Sequence, residues 1–276
     1  MYKYVFGPVP SRRLGISLGI DLVKDKRCNF NCVYCECGAT KEYTEERKQY
    51  VDLSQLKKEI DQVLKKVTPD YITFSGSGEP TLNSDLGVIS KWIKNNYKIK
   101  TALITNSSLF YKDEVVEESL EFDLIIPTLN AITEEVFQKI NRSSKECSIE
   151  KIKLGLQKLS KKFSGEIYIE FFVIEGINDT EDELKKYVEY LKTIKYTKLQ
   201  LNSLARKGAE DWVKPVSKLH LEKIKKYFEE NKIFSVEIIG ECSEEQNKIE
   251  LDKNLIKNML EKRDYTEQEL EKIYKK

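Results

Sequence analysis

The sequence is poor in cysteine and nearly devoid of histidine. Its 276 residues include six cysteines and one histidine, His220, and so few cysteines in a chain of this size exclude a disulfide scaffold. Four of them lie close together, at Cys28, Cys32, Cys35 and Cys37. Cysteines crowded in this way in a protein of a reducing compartment indicate a metal centre.

The sequence also lacks an excess of charge and any long apolar run. Its 47 lysine and arginine residues nearly balance 46 aspartate and glutamate residues, so no overall field holds RNA, DNA or an acidic membrane at a distance. No stretch approaches about 18 uninterrupted apolar residues, and residues 1–8 lack the basic region and apolar run of a secretory signal. We therefore expect a cytoplasmic protein without a membrane partner.

Strand and helix patterns alternate along most of the chain. Six segments have the apolar composition of buried strands, and helical patterns lie between them. This alternation is typical of parallel strands joined by right-handed crossover helices, in an open doubly wound sheet or a barrel. Both architectures gather functional residues at the carboxyl ends of the strands. The six segments are residues 16–23, 71–74, 100–104, 124–127, 167–174 and 198–201.

The pattern changes beyond residue 202. Residues 206–209 indicate a loop, residues 217–230 a charged helix that contains His220, and residues 234–239 a further strand. We expect the segment after residue 203 to cover the open side of a barrel. Residues 1–240 then form the main domain, and residues 241–276 form a helical appendage whose last helix begins with a capping box.

Three of the clustered cysteines follow the first strand with the spacing C-x3-C-x2-C. Thiolates hold iron-sulfur clusters, and a 4Fe-4S cluster on Cys28, Cys32 and Cys35 leaves one iron open to an outside ligand. The alternative is a zinc site, but such sites are generally closed by four ligands, and His220 lies far away in the sequence. Cys37 follows Cys35 too closely to share a cluster easily, so we expect it nearby without a bond to iron.

A glycine-containing segment, FSGSGEPT, follows the second strand at residues 74–81. Gly76 and Gly78 allow the backbone to approach a ligand closely, and the Glu79 carboxylate can accept hydrogen bonds from an ammonium group. The alternative is an ordinary strand-to-helix turn, which glycine and proline also favour. The nearby cysteine motif favours the ligand site.

The cysteine spacing, the aromatic Tyr34 before the last cysteine, and the position after the first strand together resemble the radical S-adenosylmethionine (SAM) superfamily. The resemblance implies an α/β fold, a partial (β/α)6 TIM-like barrel with a C-terminal helical extension. It also implies that SAM binds the open iron and is split by a reducing electron into methionine and a 5′-deoxyadenosyl radical. Such enzymes need an electron donor such as flavodoxin or ferredoxin.

The same resemblance implies which residues contact SAM. The segment at Gly76–Glu79 is similar to the family's glycine-glycine-glutamate segment, with Ser77 in place of the first glycine. Tyr34 and the asparagines that follow later strands, Asn106, Asn130 and Asn178, occupy positions where the family contacts SAM. Arg142 pairs with a carboxylate or is an ordinary surface arginine.

The opening segment GPVPSRRLG, residues 7–15, resembles a subgroup related to wybutosine tRNA-modifying enzymes. Those enzymes carry further cysteines for a second cluster, but only Cys37, Cys147 and Cys242 remain here, widely scattered, so we expect no second cluster. Some relatives end in a winged helix-turn-helix. Residues 252–276 resemble its first two helices, a truncated remnant without a recognition helix, so we expect no DNA partner.

The substrate stays open between a small molecule, a peptide and an RNA. Arg12 and Arg13 are candidates for holding a phosphate or carboxylate of the substrate, although structural ion pairs also explain such residues. An RNA substrate predicts a basic cleft and salt-sensitive binding, and a peptide predicts a groove or an exposed edge strand. A non-catalytic iron-sulfur protein for electron transfer or sensing is the alternative of a different class, and it predicts four ligands.

Overall fold

The computed structural model of the protein describes residues 2–240 together with Lys257 and Leu260. The remainder of the predicted appendage at residues 241–276 lies outside the described residues. The division into two domains therefore stays a prediction. Within the described residues, no helix combines the length and the apolar character that a membrane crossing requires.

The centre of the fold is an eight-stranded sheet. A separate two-stranded sheet is formed by β3 (Arg27–Cys28) and β4 (Glu42–Tyr43). The strands of the main sheet are β1 (Val5–Ser11), β2 (Gly15–Ile20), β5 (Tyr71–Phe74), β6 (Lys100–Thr105), β7 (Leu124–Pro127), β8 (Glu166–Phe172), β9 (Lys198–Asn202) and β10 (Val236–Ile238). The strand order is β1-β2-β5-β6-β7-β8-β9-β10. Only the β1–β2 pair is antiparallel; every other neighbouring pair is parallel. All six predicted strands are confirmed, and residues 236–238 confirm the predicted seventh.

Helices connect the parallel strands. They are α1 (Leu53–Leu64), α2 (Leu86–Asn96), α3 (Asp113–Ser119), α4 (Glu134–Asn141), α5 (Ile149–Lys162), α6 (Glu181–Leu191) and α7 (Lys218–Glu230). Four of them have an N-cap residue whose side chain accepts a hydrogen bond from a backbone N–H of the first turn. These N-cap residues are Asp52, Ser148, Thr180 and Ser217. Helix α1 ends at Leu64, and Pro69 disfavours helical backbone at the preceding residue, Thr68.

The predicted partial barrel is confirmed, and it stays open. Within the part of the chain that the structure describes, strands β1 and β10 are the two edges of the sheet and do not pair with each other. The turn between β1 and β2 enters the barrel interior, where Leu14 packs with Ala102, Leu124 and Ile126. Strand β1 was not predicted, because its glycine and prolines interrupt the apolar pattern of a strand. Proline is nevertheless tolerated in an edge strand.

The segment after residue 203 lies partly elsewhere than expected. Only β10 extends the open edge, whereas residues 204–213 pack against the cysteine loop. The backbone N–H of Glu210 donates to the Val33 carbonyl at 3.0 Å, and Leu204 and Val213 share an apolar cluster with Val33. This segment therefore covers the loop at the carboxyl ends of the strands.

Candidate active site

The parallel sheet brings the predicted site residues to one edge. The cysteine loop follows β2, the glycine segment follows β5, and Asn106 follows β6. Asn130 and Asn178 come after β7 and β8. Because parallel strands end on the same side of a sheet, segments that are far apart in the sequence meet there.

Backbone hydrogen bonds hold the cysteine loop in a defined shape. The N–H of Cys35 donates to the Cys32 carbonyl at 3.2 Å, and the N–H of Gly38 donates to the Cys35 carbonyl at 2.9 Å. The N–H of Val33 donates to the Ile140 carbonyl at 3.0 Å, which ties the loop to the end of α4. The loop is therefore ordered by the protein itself, and its three motif cysteines are half-buried residues.

Lys26 supplies a positive charge to the cysteine loop. Its buried ammonium group donates to the Cys35 sulfur at 2.8 Å. A hydrogen bond with Cys37 and the charge of Lys26 together outweigh burial and lower the pKa of Cys35 to about 5. Thiolate is the form that binds iron, so this environment prepares Cys35 as a ligand.

Two asparagines donate to the other two sulfurs. The Nδ2 of Asn141 lies 3.4 Å from the Cys32 sulfur, and the Nδ2 of Asn106 lies 3.7 Å from the Cys28 sulfur. Burial nevertheless raises the pKa of Cys32 to about 11 and raises that of Cys28 as well. A metal centre bound at these sulfurs would favour their thiolate form.

Among the described residues, no three His, Cys, Asp or Glu side chains converge as ligands of a single metal ion. A 4Fe-4S cluster does not need such convergence, because each thiolate binds a different iron. The geometry therefore does not favour the zinc alternative.

The glycine segment packs tightly against the start of the cysteine loop. A Cβ atom on Gly78 would lie 1.7 Å from the Arg27 carbonyl oxygen, so no larger residue fits. Gly76 has a φ of +136°, a backbone conformation that residues with a side chain rarely adopt. Its carbonyl accepts a hydrogen bond from the Cys37 thiol at 3.4 Å. The Ser77 hydroxyl donates to the carboxylate of Asp21. The predicted segment thus approaches the cysteine loop through its backbone.

The Glu79 carboxylate is turned into the protein. It is buried and accepts hydrogen bonds from the N–H and the hydroxyl of Thr81, the hydroxyl of Thr105 at 2.6 Å and the N–H of Asn106 at 2.7 Å. Burial raises its pKa despite these donors. Glu79 therefore joins the loop after β5 to the loop after β6.

Tyr34 and Asn130 are joined to each other. The Asn130 amide donates to the Tyr34 hydroxyl at 2.7 Å, and its oxygen accepts from the Phe172 N–H at 2.8 Å. The Tyr34 ring stacks on the Phe172 ring with 4.3 Å between centroids. These contacts fix the aromatic residue of the cysteine motif against the end of β8.

Asn178 is fully buried, and its side-chain amide forms hydrogen bonds with backbone groups. Its oxygen accepts from the Ile174 N–H, and its nitrogen donates to the carbonyls of Asn130 and Phe172. The side chain therefore closes the turn after β8 and does not face the strand-end opening. A direct contact between Asn178 and SAM stays a prediction.

Arg142 and His220 both have protein partners. Arg142 pairs with the Glu210 carboxylate, and His220 contacts Asp179 at 2.6 Å. Sequence reasoning missed Lys26 and Asn141. The position of Lys26, two residues before Cys28, could have indicated its role. Nothing in the sequence around Asn141 indicates a contact with a cysteine.

The matching family model is described as the Radical SAM superfamily and covers residues 25–191, more than half of the chain. The chain belongs to the radical SAM superfamily. Membership confirms the cofactors that the resemblance implied, a 4Fe-4S cluster and SAM. Three cysteines on an ordered loop, each with a hydrogen-bond donor at its sulfur, fit this cofactor set.

The chain is similar to proteins of the UPF0026 group and belongs with them. It is 36% identical over 206 residues to a protein from Synechocystis sp., covering 74% of this chain and 77% of that protein. It is 35% identical over 213 residues to one from Methanocaldococcus jannaschii, covering 76% of this chain and 66% of that protein. A protein from Brachyspira hyodysenteriae named GTPase Obg is 37% identical over 237 residues, 86% of this chain, but the chain spans only 35% of its length.

Solved structures show the same fold. TYW1 with a bound lysine-pyruvate adduct has a TM-score of 0.58 at 20% identity, covering 82% of this chain and 76% of TYW1. A radical SAM methyltransferase from Sphaerobacter thermophilus has a TM-score of 0.62 at 14% identity, covering 80% of this chain and 65% of that chain. The predicted resemblance to the wybutosine-related subgroup is confirmed at the level of the fold.

Proposed function

We propose that the protein is a radical SAM enzyme that cleaves SAM reductively and uses a 5′-deoxyadenosyl radical to abstract hydrogen from its substrate. The observation that carries this proposal is the packing of the Gly76–Glu79 segment against the loop that contains the three motif cysteines. Gly78 packs against Arg27 just before that loop, and the Gly76 carbonyl accepts from Cys37 within it. The 4Fe-4S cluster that these cysteines would hold would supply the electron that splits SAM, and a donor such as flavodoxin or ferredoxin would reduce the cluster again.

The residues around the cysteine loop would tune and hold the thiolates. Lys26 and Asn141 donate to two of the sulfurs, and such hydrogen bonds stabilise thiolate charge. A set of three cysteines leaves one iron open for the amino and carboxylate groups of SAM. A complete set of four ligands, which electron transfer or sensing alone would use, is not what the motif provides.

The glycine segment would receive the SAM amino group through its backbone. Its glutamate, Glu79, already accepts hydrogen bonds from three neighbouring residues. Carbonyl groups near Gly76 are therefore the better acceptors for an ammonium group, and Glu79 is a positioning residue. Tyr34 and Asn130 likewise hold the cysteine loop and the strand ends in place.

The segment after β9 would exclude water from the site. Arg206 pairs with Glu36 of the cysteine loop at 3.1 Å, and Leu204 packs beside Val33. A closed site protects a reactive carbon radical from side reactions. This cover lies where the sheet's carboxyl ends would otherwise face solvent.

RNA modification is the second candidate, because the wybutosine-related subgroup acts on tRNA. It requires tRNA binding that weakens steeply as salt concentration rises. GTP hydrolysis, suggested by the name of the Brachyspira protein, has no support here, because the sequence contains no GxxxxGK[ST] motif.

The test is anaerobic reconstitution with iron and sulfide, reduction by dithionite in the presence of SAM, and chromatography for 5′-deoxyadenosine. We expect product from the wild type and from Cys147→Ala, whose cysteine lies outside the motif, but none from Cys32→Ala. A wild-type protein that carries a full cluster and neither binds nor cleaves SAM would contradict the proposal. Electron transfer or sensing would then become the better explanation.

A further inference from the structure

A cavity of about 230 Å³ lies inside the open barrel. Residues of the β1–β2 turn, of β5 and β6, and the glycine segment line it, among them Phe6, Val9, Ile104, Gly76 and Cys37. Its volume is below the roughly 300–1,000 Å³ typical of drug-sized ligands. The cavity therefore suits a small molecule, and it lies beside the candidate SAM site.

Three arginines also line this cavity, whereas none of its described lining residues is acidic. Arg13 pairs with Glu170 at 2.7 Å, and Arg206 pairs with Glu36 at 3.1 Å. Arg12 makes no hydrogen bond or ion pair with any residue between 2 and 240 within the usual distances. Among the described residues, Arg12 is therefore the arginine of this cluster that has no carboxylate partner.

Burial makes the charge of Arg12 unfavourable. Burial lowers the pKa of Arg12. The positive charges of Arg13 and Arg206 lower this pKa further, and the carboxylates of Glu36 and Glu170 offset the lowering only in part. A buried or half-buried charge is normally paired, because an unpaired one loses its hydration without gaining a partner. An anion bound at Arg12 would supply the missing partner.

A second cavity, of about 350 Å³, shares Arg12 and Arg13 with the first. Its other lining residues include Lys198, Lys225 and Glu237, which belong to β9, α7 and the edge strand β10. Arg12 therefore lies between the cavity at the glycine segment and the open side of the barrel. A ligand that enters from the open side would reach Arg12 before it reaches Gly76.

We propose that Arg12 binds the anionic group, a carboxylate or a phosphate, of a small organic substrate and thereby orients the substrate toward the cysteine loop. The guanidinium fork matches either group with two parallel hydrogen bonds. The role as substrate rests on the proposed function, whereas anion binding by Arg12 does not. The carbon to be attacked would lie in the 230 Å³ cavity beside Gly76 and Cys37.

The experiment measures the thermal unfolding midpoint of the reconstituted holoenzyme in chloride, acetate and inorganic phosphate at equal ionic strength. An anion at ten times its Kd is expected to raise the midpoint by roughly 3–6 °C. Arg12→Gln should lose this rise, and Arg12→Lys, which keeps the charge without the fork, should retain part of it. Lys91→Gln, which removes an exposed charge from α2, should behave as the wild type.

The two anions distinguish the chemistry, because a rise with acetate alone identifies a carboxylate site and a rise with phosphate alone a phosphate site. An equal rise in Arg12→Gln and the wild type overturns the proposal, since the anion then acts elsewhere. Loss of SAM affinity in Arg12→Gln also overturns it, because Arg12 would then hold the SAM carboxylate. An Arg12-dependent rise in a wild-type protein that forms no 5′-deoxyadenosine leaves the anion site standing and refutes the proposed function.

Discussion

Replacing Glu79 by glutamine should destabilise the protein although the side chain keeps its size. One oxygen of Glu79 accepts from the Thr81 N–H at 3.0 Å, and the other accepts from the Asn106 N–H at 2.7 Å. A glutamine has only one oxygen. Whichever way its amide is turned, its NH2 group faces a backbone N–H that cannot rotate away.

The expected magnitude follows from this single unsatisfied donor. A buried N–H without a partner costs about 1–3 kcal/mol, and a chain of this size loses roughly 2–4 °C of Tm for each kcal/mol. The Tm of Glu79→Gln should therefore fall by roughly 2–12 °C. SAM affinity should fall with it, because Glu79 joins the loops that follow β5 and β6.

Glu183 provides a matched control. It is also buried, but both backbone donors, the N–H groups of Ile132 and Thr133, reach the same oxygen. The other oxygen meets only the Thr133 hydroxyl at 2.8 Å, and a hydroxyl can turn to accept. Glutamine fits this site without conflict, so Glu183→Gln should lose less stability than Glu79→Gln.

The assay is thermal unfolding of the reconstituted wild type and both variants under anaerobic conditions, together with a SAM titration. Equal Tm values for Glu79→Gln and the wild type, or a larger loss in Glu183→Gln, would refute the reasoning. Either result would mean that the fixed donors around Glu79 do not control the strand-end geometry.

Three further results are expected. Gly78→Ala should lower the Tm by several degrees, because a Cβ would lie 1.7 Å from a backbone carbonyl, whereas Gly240→Ala, in open space, should not. Glu170→Gln should be less stable than the wild type at pH 7, and urea unfolding should show the difference shrinking below about pH 4.3. Asn141→Leu removes a hydrogen bond to the Cys32 sulfur, so a redox titration followed by electron paramagnetic resonance should show a more negative cluster potential.

The sign of the Glu170 result comes from its environment. Burial raises its pKa, but the charge of Arg13 and hydrogen bonds from Asn202 and Thr128 outweigh it, so the pKa lies below the usual value. A carboxylate with a depressed pKa stabilises the fold above the pKa of the unfolded chain and loses this contribution as the pH falls. A stability difference that grows on acidification would contradict this account. Equal effects of Gly78→Ala and Gly240→Ala, or an unchanged potential in Asn141→Leu, would contradict the other two predictions.

The strands and the radical SAM family were predictable because their signals are local. The apolar stretch at residues 124–127 and the C-x3-C-x2-C spacing depend only on neighbouring residues. Strand β1 was missed because Gly7, Pro8 and Pro10 mask its pattern, although they suit an edge strand. The pairing register of β1 with β2 places the turn that contains Arg12 and Arg13 inside the barrel. No local sequence pattern predicts this register.

The roles of the polar residues were less predictable. Asn130, Asn178 and Glu79 occupy the expected strand ends, but their side chains bond to the protein around them. Position in the sequence indicates at which edge of the sheet a residue lies. It does not indicate whether a nearby N–H or carbonyl takes up its hydrogen-bonding groups, because those groups come from other strands.

The sequence by itself determined the class of the protein: three thiols at cluster spacing, alternating strands and helices, and glycines at a strand end. Each of these is a short-range pattern, imposed by the covalent chain and by the periodicity of helix and strand. Only the tertiary structure decided that Lys26 and Asn141 donate to the cysteine sulfurs, that Glu79 is turned inward, and that Arg12 lacks a partner among the described residues. These facts depend on which surfaces the packed sheet brings together, and such contacts join residues that are distant along the chain.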